Sequence, residues 1–128
     1  MGLDSYIYRV SKEAVQDFVD FQIDYKKYNI EEFAYFRKNS ALHSFCGEFY
    51  HLLGGEDKDF NGCNIQITER MLKELRRLLD LGLLSGADGF FWGTMSELKY
   101  EQLSVVVDRM LKLYESDPDY VFVYNGNY

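Results

Sequence analysis

The stretch Glu32-Phe-Ala-Tyr-Phe-Arg-Lys-Asn-Ser-Ala-Leu-His-Ser-Phe-Cys-Gly-Glu-Phe-Tyr-His-Leu-Leu53 changes its hydrophobic period halfway, and that change decides the fold. Residues Glu32 to Phe36 fit either a short strand or the first turn of the following helix, and the strand reading is preferred. From Leu42 onward, Leu42, Phe45, Cys46, Phe49 and Leu53 recur at helical spacing. Asn39 or Ser40 supplies the N-cap, and Gly54-Gly55 stops the helix.

Outward from this junction the same contrast of periods repeats. Ser5 to Val10 alternates, with Tyr6, Tyr8 and Val10 on one face and Ile7 and Arg9 on the other, which reads as a strand. Ser11 then caps a predicted helix carrying Ala14, Val15, Phe18, Val19 and Gln22, ended by the polar piece Asp24 to Asn29. Cys63, Ile65 and Ile67 alternate as a strand, and Thr68 caps a helix with Met71, Leu72, Leu75, Leu78 and Leu79 inward, ending near Gly82. Gly89-Phe90-Phe91-Trp92-Gly93 predicts a short buried strand or a tight aromatic loop. A long helix from Glu97 to Tyr114 is broken at Asp117-Pro118, and Tyr120 to Tyr124 forms a last strand. The expectation is one α+β domain over residues 1–128, with a short mixed or antiparallel sheet packed against three to four helices.

Composition limits function more than it specifies it. Hydrophobic residues make up 47% of the 128, enough to drive folding of a single core. The net charge is −7, from 21 acidic and 14 basic residues, which argues against direct nucleic-acid binding, where a basic face is needed. The acids are spread evenly along the chain, so solubility explains them better than mimicry of a phosphate backbone. No apolar run approaches the ~20 residues of a membrane span, and no signal peptide is expected. Gly2 is followed by Tyr6 where a myristoylation motif needs Ser or Thr. Two cysteines, Cys46 and Cys63, are too few for a disulfide scaffold, so reduced thiols in a cytoplasm are expected.

Candidate chemistry concentrates where the strand meets the helix. Arg37 and Lys38 precede a helix start, whose unpaired amides and dipole suit a phosphate or carboxylate; a cap from Asn39 or Ser40 fills the same donors. His43 flanks the helix stripe and is the best-placed general base. A zinc site from His43, Cys46, His51 and Cys63 is disfavoured. At 100° per residue His43 and Cys46 lie about 60° apart, whereas His51 lies about 140° from Cys46. No ligand-pair spacing supports it, and no metal or other cofactor is expected. The rings of Phe91 and Trp92 suit a core strand, an aromatic wall or a partner-binding patch. The set of ligand- or partner-binding candidates is thus Tyr35, Arg37, Lys38, His43, Phe91 and Trp92, with no catalytic residue assigned.

Three blocks carry a resemblance. Met1-Gly2-Leu3-Asp4-x-Tyr6-Ile7-Tyr8, Tyr35-Phe36-Arg37-Lys38-x-x-x-Leu42-His43 and Gly89-Phe90-Phe91-Trp92-Gly93 are similar in order and spacing to a family of small phage and prophage proteins. The segment between Val10 and Ile30 is less similar. Phe36 stands where the family usually carries Trp, and Trp92 where Phe is usual. Members are often labelled phosphoglycerate kinase, a label this chain does not fit, lacking both the length for two lobes and a nucleotide motif. The resemblance implies a phage setting and expression in a bacterial cytoplasm, and no particular reaction.

The leading expectation is therefore a phage-encoded accessory protein, acting without catalysis. It would bind and inhibit a host protein or protein complex, such as a defence nuclease. The alternative is a small anion- or nucleotide-binding protein or enzyme, in which Tyr35, Arg37, Lys38 and His43 converge on a phosphorylated ligand. A third reading is a homo-oligomer subunit, a homodimer being the simplest.

Overall fold

A computed structural model describes residues 2–84 and 97–128. Its strands are β1 (Asp4–Ser11), β2 (Ile30–Arg37), β3 (Cys63–Ile67) and β4 (Tyr120–Asn127), and its helices α1 (Ser40–Leu52), α2 (Glu69–Asp80) and α3 (Glu97–Ser116). The strands form one sheet in the order β2-β1-β4-β3, with every neighbouring pair antiparallel. The domain is α+β, and among the described residues the sheet is wholly antiparallel.

Strand alternation supplies the two faces. Ile7, Phe36, Ile65, Ile67, Phe122 and Tyr124 turn to one side and build the main core with all three helices. Val10, Val121 and Val123 turn to the other, where Ala14, Val15, Phe21 and Ile23 cover them in a smaller cluster. The helices are fixed at their starts by local chemistry. Asn39 Oδ1 accepts from the Leu42 amide at 3.0 Å, and Thr68 Oγ1 from the Met71 amide at 3.2 Å. Asn39 rather than Ser40 is thus the cap of α1. Residues 32–36 lie in a strand, and the last strand runs on to Asn127.

The helix expected after Ser11 does not form. Lys12–Ala14 makes a single 3₁₀ turn, and the chain then crosses the sheet in irregular conformation. The backbone has better partners there than its own next turn. The Gln66 amide donates to the Phe18 carbonyl at 2.8 Å, the Asp20 amide donates to the Asn64 carbonyl at 3.1 Å, and Val19 bridges Ile65. These bonds cover the outer edge of β3, and Asp20 at φ 55° is incompatible with a continuing helix. The alternating burial of Phe21 and Ile23 follows from lying flat on a sheet face.

The other sheet edge, β2, is blunted differently. Ile7 pairs with Ala34 and Tyr8 with Glu32, so Phe33 bulges and its ring meets Phe122 edge-on at 4.8 Å. Gln102 of α3 donates to the Tyr35 carbonyl at 3.2 Å, and Lys99 to the Lys38 carbonyl at 2.8 Å. Both edges of the sheet are therefore occupied in part by the chain itself.

Candidate functional site

The helix-covered face encloses a hydrogen-bonded chain of three side chains far apart in sequence. The Ser5 hydroxyl lies 2.8 Å from the Tyr124 hydroxyl, which lies 2.8 Å from His43 Nδ1. Ser5 and Tyr124 are fully buried and His43 is 3% exposed. Burial pulls the His43 pKa down to about 4, a backbone hydrogen bond with Phe60 opposing in part, so the ring is neutral at pH 7. Burial also holds the Tyr124 phenol well above its ordinary range. The neutral ring shares one hydrogen bond with the Tyr124 hydroxyl at Nδ1, and Tyr124 shares another with Ser5.

Packing seals this chain. The Phe60 ring lies 4.7 Å from that of His43, and the Tyr128 ring stands edge-on at 5.7 Å. At Gly126 a Cβ would come within 2.4 Å of the Tyr124 hydroxyl and 2.6 Å of His43 Nδ1, so only glycine lets the backbone pass. A buried polar group costs free energy unless it is bonded, and here the partners are supplied from β1, β4 and α1. The chain specifies how α1 sits on the sheet. Its members are closed off from bulk solvent.

Tyr35 and Arg37 are on the opposite side. Arg37 is directly across from Asp4 and Tyr35 from Tyr6; the Tyr35 hydroxyl donates to Asp4, and its ring lies 5.1 Å from that of Tyr6. Both side chains are exposed, as is Lys38, which turns the chain into α1 at φ 55°. His43 lies across the sheet from them, so Tyr35, Arg37 and His43 do not line a common cavity. The start of α1 is buried from Asn39 through His43, and its Leu42 donor is taken by the Asn39 cap. Phe91 and Trp92 lie outside the described residues. Cys46 is buried, with its thiol pushed up by burial; Cys63 is half-buried and raised for the same first reason; His51 is exposed. Among the described residues, no group of three or more His, Cys, Asp or Glu is arranged to hold a metal ion.

What the fold does assemble at the surface is an acidic hollow. Asp20 accepts from the Tyr50 hydroxyl and, at 3.0 Å, from the Glu56 amide, which ties the crossover to the end of α1 and its following loop. The Asp57 amide donates to the Tyr50 hydroxyl at 2.9 Å, and Gly55 passes so close that a Cβ would lie 2.3 Å from the Tyr50 ring. Anchored in this way, the crossover bends around a hollow of about 490 Å³, with Glu13, Asp17, Asp20, Asp24 and Lys27 among its lining residues. Phe18 is 52% exposed and Tyr25 76% exposed on the same segment.

No family model, curated protein or solved structure matches the chain.

The hollow was not among the sequence candidates. Its signal was present: Glu13, Asp17, Asp20 and Asp24 recur every three or four residues. In a helix that spacing describes a solvated stripe, which is how the segment reads once Ser11 is taken as a cap. In the irregular crossover the same residues line a concavity.

A second concave surface lies between α1 and α2. A groove of about 750 Å³ is floored by Phe45, Phe49 and Leu78, edged by Leu52 and walled by charged residues of both helices. A smaller one, of about 440 Å³, lies between α2 and α3 beside Arg76, Leu79 and Tyr100. No described helix is long and apolar enough to cross a membrane.

Proposed function

We propose that this is a phage-encoded accessory protein that binds a host macromolecule and inhibits it by contact, as an anti-defence or anti-CRISPR-type inhibitor does, without catalysis of its own. The observation that carries this reading is the acidic hollow with two exposed aromatic side chains on its segment. Carboxylates steer and select a basic surface, while a ring such as Phe18 or Tyr25 supplies the desolvated anchor that gives affinity. The net charge of −7 favours encounter with a basic partner over long range. Such a partner is a host protein whose own basic surface handles nucleic acid. The resemblance to phage proteins supports the setting, and the sealing of His43 supports binding over acid–base chemistry.

The test is capture from bacterial lysate on immobilised protein, comparing the wild type with D17K/D24K and with F18A. The wild type should retain one basic protein in stoichiometric amount, lost with D17K/D24K and weakened at least tenfold with F18A. Recovery of no stoichiometric partner would refute the reading, as would a partner held equally by all three.

A further inference from the structure

We propose that the α1–α2 face seats a second copy of this chain in a two-fold pair, a contact separate from the acidic hollow. A two-fold interface must be complementary to itself. Three properties of this face meet that requirement.

The first is shape. The groove between α1 and α2 is floored by Phe45, Phe49 and Leu78, and one of its margins projects: Leu52 is 79% exposed and Leu53 beside it 43%. Ridge and groove belong to the same patch, so a two-fold rotation can set the ridge of each copy into the groove of the other. Apolar side chains presented this way on a helix end remain hydrated unless covered.

The second is local neutrality. Two copies each carrying −7 repel through most of their surfaces. The groove is an exception, because it is lined by three acids, Glu48, Glu69 and Glu74, and three bases, Arg70, Lys73 and Arg77.

The third is the arrangement of those charges. Along α2, Lys73 pairs with Glu69 at 3.1 Å and Arg77 with Glu74 at 2.6 Å. Among the described residues no ion pair engages Glu48 or Arg70. Glu48 stands on the α1 wall and Arg70 on the α2 wall, both exposed. Facing α1 of one copy to α2 of the other therefore sets Glu48 against the partner's Arg70, twice over. A partner of unrelated sequence would need this alternation built separately; a second copy already has it.

The charge pattern gives a specific test by sedimentation equilibrium of the full chain, whose single-copy mass is 15.1 kDa. The wild type should show twice that mass. E48R alone sets Arg against Arg and R70E alone sets Glu against Glu, so each should sediment as a single copy. An equimolar mixture of E48R and R70E should recover the doubled mass, because each contact then joins opposite charges, and E48R/R70E should pair with itself. Both positions are solvent-exposed, and matched circular dichroism melts would show that the fold is intact. A wild type of single mass from micromolar to millimolar concentration overturns the proposal. So does a doubled mass that persists in both single variants, or single variants that the mixture does not rescue.

Discussion

The two faces of the sheet are built from the same strands but closed in different ways. One carries three helices over a continuous core and encloses Ser5, Tyr124 and His43 as a bonded chain. Among the described residues the other is covered chiefly by the crossover, whose Ala14, Val15, Phe21 and Ile23 lie on Val10, Val121 and Val123. The deep face uses its polar groups for architecture, so they are unavailable to a ligand. The thin face is held by edge bonds and by the Asp20 anchor, and it is there that carboxylates and aromatic rings reach solvent. In this molecule accessibility, more than the chemistry of individual residues, separates structural groups from those able to meet a partner.

The largest blow to the deep face should come from Gly126→Val. Two added methyl groups and a Cβ in a gap of 2.4 to 2.6 Å must displace Tyr124 or His43, overpacking the core and breaking a buried bond. A loss of about 4 kcal/mol in chemical denaturation is expected. A variant within 1 kcal/mol of wild type would show the chain to be less constrained than its geometry implies.

Acid should act on the same face through His43. Its folded pKa, about 4, lies below the ordinary value of 6.5, so the unfolded chain binds the proton more tightly. Stability is therefore full above pH 6.5 and falls as pH drops toward 4, by about 1.4 kcal/mol per unit and about 3 kcal/mol in all. Denaturation curves at pH 7, 5.5 and 4.5 measure this, and H43Q should remove most of the slope. A slope unchanged in H43Q would place the acid sensitivity elsewhere.

The smallest effect is expected on the thin face. Val15→Ala leaves the helices untouched and should cost only about 1 kcal/mol. Amide exchange should quicken across residues 12–28 while α1 keeps its protection, because the crossover opens on its own. Equal quickening in α1 would mean that the two faces unfold as one unit.

Much of this architecture was legible in local pattern. The alternation of Ser5 to Val10, the Thr68 cap with its leucine stripe and the break at Asp117-Pro118 each record a constraint set within a few residues. Two misreadings share a cause in distance along the chain. The 11–22 segment has helical spacing, yet the edge of β3, more than forty residues away, offers its backbone better bonds. In α1 the apolar spacing runs on to Leu53, whereas the structure exposes Leu53 and buries Tyr50, because Asp20 supplies a partner for its hydroxyl. The Ser5–Tyr124–His43 chain joins residues separated by 119 and 81 positions, which no local period can announce. Arg37 and Lys38 do precede a helix start, as the Asn39 cap signals, but the burial of that start depends on α1 lying flat against the sheet.

The strand order β2-β1-β4-β3 puts the first and last strands side by side at the middle of the sheet. Until β4 leaves the ribosome, β1 has only one neighbour and β3 has no strand beside it. At about 5 to 20 residues per second, the interval between synthesis of β1 and of β4 is roughly 6 to 20 s. During that time the nascent chain carries an unpaired central edge and a half-built core. Chaperone occupancy and the speed of translation, rather than the stability of the finished domain, would then govern how much of it reaches the native state.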